Sequence, residues 1–148
     1  FGWGFPTLGH NENLGWSHTM NKPDVYDIWE ETFDKPGDPL AYRYGGGYRQ
    51  AVQWSEPVTV QGAPAKTYVF RKTHHGAIVS ERNGKPLAVR FAKLEEGGQL
   101  EQRYRVGKAR NFAEWKSAMQ RTAVAMFNAV YADRDGNIFY VHNGAVPR

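Results

Sequence analysis

Residues 66–72 repeat with a period of two: Thr67, Val69 and Arg71 alternate with Tyr68, Phe70 and Lys72. Only an extended chain sends alternate side chains to opposite faces. Glu56-Pro57-Val58-Thr59-Val60 precedes this run, and Gln61-Gly62-Ala63-Pro64 joins the two, so a β-hairpin is expected. His74 to Ser80 continues past Gly76, Asn83-Gly84 marks a turn, and residues 87–94 form a returning strand. Near the end, residues 127–132 are strand-like, Asp135-Gly136 marks a turn, and residues 138–142 return. Residues 14–20 read as a strand and 24–30 as irregular to strand. Residues 1–10 read as loop and short strand. Residues 34–47 read as a turn-rich connection, because Pro36, Gly37, Pro39 and three successive glycines break regular structure.

One helix is expected. Asn111 precedes Phe112, and Glu114 follows three residues after Asn111, an Asn-led capping box. Phe112, Trp115, Ala118, Met119, Thr122 and Ala123 then recur at helical spacing, which predicts a helix from 112 to about 124. The expected class is a strand-rich α+β unit with one main helix, one domain or a piece of one over residues 1–148.

Composition limits the function. With 41% apolar and 14% aromatic residues the chain is not disordered. The net charge of +4 comes from scattered basic residues rather than a tract, which points away from nucleic acid. There is no cysteine, hence no disulfide, thiolate metal site or cysteine nucleophile. No stretch approaches the length of a membrane-spanning helix, and no signal peptide is visible.

Five histidines invite a metal reading, but His10, His18 and His142 share no ligand spacing. His74 and His75 are adjacent, so on a strand they would face opposite sides. Asp24 and Asp27 are three residues apart and can converge on a hard cation if the chain bends; the same spacing describes a solvated acidic turn. Asn128 is a polar amide among apolar strand residues and needs hydrogen bonds wherever it is buried. It either ties a loop or donates to a developing oxyanion. Ser17, Ser55, Ser80 and Ser117 lie in no nucleophile motif, and Ser17 and His18 would diverge on a strand.

Four patterns occur in order. They are Gly9-His10-Asn11 with Gly15-Trp16-Ser17-His18-Thr19-Met20; Asp24-x-x-Asp27; Arg71-Lys72-Thr73-His74-His75-Gly76-Ala77-Ile78-Val79; and Asn128-x-x-Tyr131-Ala132-Asp133-x-x-Gly136-Asn137-Ile138-x-Tyr140 running to Gly144-x-x-Pro147-Arg148. Together they resemble the early β-subunit of the penicillin acylase family. This group of N-terminal nucleophile hydrolases includes penicillin, cephalosporin and acyl-homoserine-lactone acylases. The resemblance implies an αββα fold matured by autocatalytic cleavage, and hydrolysis of an acyl amide by a serine whose own α-amino group is the base. It implies that the oxyanion is held by the backbone N–H of Met20 and the side chain of Asn128. Arg148 would stand near the active site. A structural calcium would be held by Asp24, Asp27 and the Tyr26 carbonyl, with no organic cofactor. Trp3, Phe5, Trp16 and Trp29 are candidates to line an apolar acyl site or to pack the core. Implied partners are the α-subunit, the other β-subunit segments and a small amide substrate, with no nucleic acid or membrane. The implied location is periplasmic or secreted.

Two departures stand out. Residue 1 is Phe rather than a nucleophile, and the chain stops at Arg148 where β-subunits continue. An internal fragment is therefore expected, one that supplies the oxyanion hole and part of the acyl pocket and is inactive alone. The residues by themselves also suit a non-catalytic β-rich module that binds a carbohydrate or peptide through its aromatics.

Overall fold

A computed structural model describes residues 4–146. Along the chain the strands are β1 (Gly9–His10), β2 (Leu14–Thr19), β3 (Tyr26–Glu30), β4 (Ala41–Tyr44), β5 (Gly47–Gln50), β6 (Val52–Val58), β7 (Lys66–Lys72), β8 (Ala77–Arg82) and β9 (Lys85–Phe91). Helices α1 (Gln99–Lys108) and α2 (Phe112–Met119) follow, then β10 (Asn128–Asp133) and β11 (Ile138–His142). The class is α+β, strand-rich as expected, with two helices instead of one.

The chain divides into two compact units, one built from residues 1–25 and 92–148, the other from 26–91. In the first, a sheet runs in the order β1-β2-β10-β11, antiparallel throughout. Alternation along the strands decides which face is covered. Leu14 and Trp16 of β2 and Ala129 and Tyr131 of β10 are buried in one cluster with Val106 of α1, Ala109 at its C-cap, and Trp115, Ala118 and Met119 of α2. Phe112 and Phe139 pack on this cluster, their rings 5.1 Å apart, and Trp115 meets Tyr131 at 4.8 Å. The opposite face carries Ser17, Thr19, Val130, Ile138, Tyr140 and His142, all exposed.

Helix α1 was not expected because its sequence lacks the usual signals. Its N-cap is Gly98 in the left-handed conformation with no side-chain cap, and its buried positions are Gln102 and Val106. Gln102 is 2% exposed, and its Oε1 accepts from the Val124 N–H at 3.2 Å. A polar side chain thus supplies much of the inward contact. In α2 the expected cap is present: Asn111 Oδ1 accepts from Glu114 N–H at 2.9 Å, and Glu114 Oε2 accepts from Arg110 N–H at 2.9 Å. The helix ends at Met119, short of the expected 124, and Thr122 has a φ of 50° that no helix continues through.

The second unit has a sheet in the order β3-β9-β8-β7-β6 and a separate hairpin β4-β5. The hairpin's first strand lies within residues 34–47, expected to be a turn-rich connection: turns occupy 36–37, 39–40 and the 45–46 tip, and the second strand runs on to Gln50. Thr73 and Gly76 close a tight turn before β8, with Thr73 N–H donating to the Gly76 carbonyl at 2.9 Å. Gly76 has a φ of 144°, and a Cβ there would overlap the Val89 carbonyl oxygen, so only glycine lets the turn lie against β9.

Candidate functional site

The antiparallel register of β2 and β10 sets Asn128 directly opposite Thr19, and that of β10 and β11 sets it opposite His142. Asn128 therefore points to the open face, away from the helices. Its Nδ2 donates to Thr19 Oγ1 at 3.0 Å and to the Met20 carbonyl at a long 3.4 Å. Tyr140 donates its hydroxyl to Asn128 Oδ1 at 2.8 Å. The Met20 carbonyl can only accept, so the NH₂ end of the amide faces it and Oδ1 accepts from Tyr140. Met20, Val130 and Tyr140 flank the amide with exposed apolar surface.

Tyr140 closes the fourth sequence pattern, but the sequence alone gives it no role. The signal was the hairpin turn at 133–137: it fixes the register, and period-two alternation then puts Tyr140 on the face of Asn128. Trp16 falls elsewhere. It lies three residues before Thr19, hence on the other face of β2; it is 5% exposed, and its Nε1 donates to the Thr7 carbonyl at 3.1 Å. The tryptophan expected at the substrate is a core residue. Phe5 packs edge-on to Tyr104 at 5.6 Å. Ser17 is exposed while His18 is half-buried, diverging as expected. Trp3 and Arg148 lie outside the described residues.

The residues expected to hold calcium supply only part of a donor set. Asp24 is exposed and belongs to the first unit, whereas Tyr26 and Asp27 open the second, with Asp27 opposite Arg90 in the β3–β9 register. Among the described residues no three acidic or histidine groups converge to hold a metal. Two carboxylates and one carbonyl fall short of the six to eight oxygens calcium takes, so these residues do not form a calcium site by themselves.

His74 and His75 do not sit on a strand. They occupy the turn before β8, and their rings approach to 3.8 Å instead of facing apart. Glu31, 2% exposed, accepts from Thr73 Oγ1 at 2.6 Å and lies 2.8 Å from His75 Nδ1. The Tyr42 hydroxyl is 2.7 Å from His74 Nδ1, and Trp29 stacks on His75 at 4.9 Å. This is a cross-linked polar cluster that satisfies its own buried groups.

Two imidazoles give the chain a pH dependence. Burial, and then the nearby Arg103 guanidinium, hold His18 below the usual histidine range. Burial, then His75 and Arg49, do the same for His74. Each group binds its proton more weakly in the folded state than in the unfolded one. Their contribution is therefore complete above the unfolded value of about 6.5 and is lost as pH falls from there through the folded values. Urea midpoints should drop between pH 7.5 and 5.5, and replacing both by Gln should flatten that drop. An equal drop in the doubly substituted chain would refute the assignment.

The penicillin amidase family model matches residues 1–148. Penicillin G acylase of Escherichia coli is 31% identical over 145 residues, covering 95% of this chain and 17% of that protein. An acyl-homoserine lactone acylase, QuiP of Pseudomonas fluorescens, is 25% identical over 153 residues, covering 97% of this chain and 19% of that protein. The solved thermostable penicillin G acylase from Alcaligenes faecalis superposes with a TM-score of 0.81 at 26% identity, over 97% of this chain and 26% of that one. The chain thus spans less than a third of the length of these relatives.

Proposed function

The chain belongs to the penicillin amidase family, and from that membership we propose that it forms part of an acylase that hydrolyses acyl amides. In this reading the Met20 backbone N–H and the Asn128 Nδ2–H hold the oxyanion. One observation supports it: on the open face of the sheet, an amide that also accepts from Tyr140 has its NH₂ group at the carbonyl of Met20, the residue whose N–H is the other donor in this reading. The 3.4 Å bond to the Met20 carbonyl is weak enough to be exchanged for a substrate oxygen.

When a nucleophile adds to the amide carbonyl, charge collects on its oxygen. Donors already in place stabilise that charge without reorganising, each by about 3 kcal/mol. The nucleophile is a serine on a segment outside this chain, exposed by autocatalytic cleavage as in N-terminal nucleophile hydrolases, with its α-amino group as base. An ordinary α-amino pKa near 8 suits that task. The amine leaves with a proton, and water then releases the acid. Met20, Val130 and Tyr140 give the site an apolar flank that suits an apolar acyl group.

The test is hydrolysis by the full-length protein that carries this chain. With N-phenylacetyl amines and N-acyl homoserine lactones, one equivalent each of acid and amine is expected from at least one series. No release from either series by the mature protein would overturn the reading.

A further inference from the structure

Phe127 immediately precedes Asn128, and its backbone has a φ of 87°. An aromatic residue in the left-handed region is strained, and such a conformation persists only where its surroundings enforce it. Here the enforcement is one hydrogen bond and one stack. Asn21 Oδ1 accepts from Phe127 N–H at 2.7 Å, and the Phe127 ring lies parallel to His18 with centroids 6.0 Å apart. Asn21 is 6% exposed, and its Nδ2 donates to the Asn143 carbonyl at 2.7 Å. Asn143 in turn donates its own Nδ2 to the carbonyls of Val124 and Met126, at 2.8 and 3.2 Å.

Asn21 follows Met20 directly in the chain. A single buried amide therefore bridges from the residue after one oxyanion donor to the residue before the other. We infer that Asn21 is a positioning residue, which sets the separation between the Met20 N–H and the Asn128 amide, with Asn143 as its anchor. The inference rests on the oxyanion reading above. Were Phe127 to relax to an ordinary φ, the first residue of β10 would swing and carry the Asn128 amide with it. A misplacement of about 1 Å costs up to about 10²-fold in rate.

The test is a double-mutant cycle on acyl-amide hydrolysis by the full-length protein. Asn21→Ala should lower kcat about 10- to 10²-fold with KM unchanged. In the N128A background it should add almost nothing, because the group it positions is gone. A full, additive loss in N21A/N128A would overturn the inference and leave Asn21 a stability residue. Unchanged turnover in N128A would instead overturn the oxyanion reading itself, so the two failures are distinguishable. Should N21A fail to fold, Phe127→Gly removes the strain that Asn21 offsets. N21A/F127G should then turn over about tenfold or more slowly relative to F127G; equal rates in the two would overturn the inference.

Discussion

Asn128→Ala in the full-length protein is expected to lower kcat about 10²–10³-fold, with KM nearly unchanged. On the proposed reading the amide meets a charge that exists only in the transition state, so its loss belongs in kcat. Folding should suffer far less. The substitution removes bonds to Thr19 and Tyr140, worth about 1 kcal/mol each, and both partners remain exposed and able to bond water. The catalytic term of about 3–4 kcal/mol exceeds that cost. Asn128→Asp should be at least as slow, since a carboxylate repels the developing oxyanion. Turnover equal to the unsubstituted protein in either variant would remove Asn128 from the mechanism.

Trp115→Ala should be the most damaging change to stability. Trp115 is fully buried, between Tyr131 and Phe139 beneath the sheet. Truncating such a side chain costs about 3–5 kcal/mol, from lost burial plus the cavity left behind. Against a total of about 5–15 kcal/mol, that is enough to populate unfolded molecules at room temperature. The Trp115 Nε1 has no hydrogen-bond partner among the described residues. Trp115→Phe removes this unsatisfied donor and most of the cavity, so its cost should be clearly smaller. Urea midpoints for the two variants check this; equal losses would show that ring packing is not what holds the core.

Much of the architecture was legible because it rests on local rules. The β6–β7 pair follows from alternation and the capped α2 from Asn111 and Glu114, and the β10–β11 hairpin follows from its Asp-Gly turn. The misses have a common cause. Helix α1 faces inward through Gln102, whose partners on Val124 and Met119 are distant in sequence, so periodicity alone could not reveal it. The Gly45–Gly46 break looked like the end of regular structure, yet it is the bend between two paired strands. At the candidate site, Met20 and Asn128 could be picked from motif resemblance. The contacts around them, Tyr140 on Asn128 Oδ1 and Asn21 on Phe127, exist only through register and tertiary contact.

The pairing of Thr19 with Asn128 joins residues 109 positions apart in the chain. During synthesis at about 5–20 residues per second, several seconds pass between the appearance of the first and of the second. A nascent chain that has completed β2 but not β10 therefore lacks the Thr19–Asn128 bond. On the proposed oxyanion reading, hydrolysis waits until the closing hairpin docks, and the sheet would time chemistry to the arrival of β10.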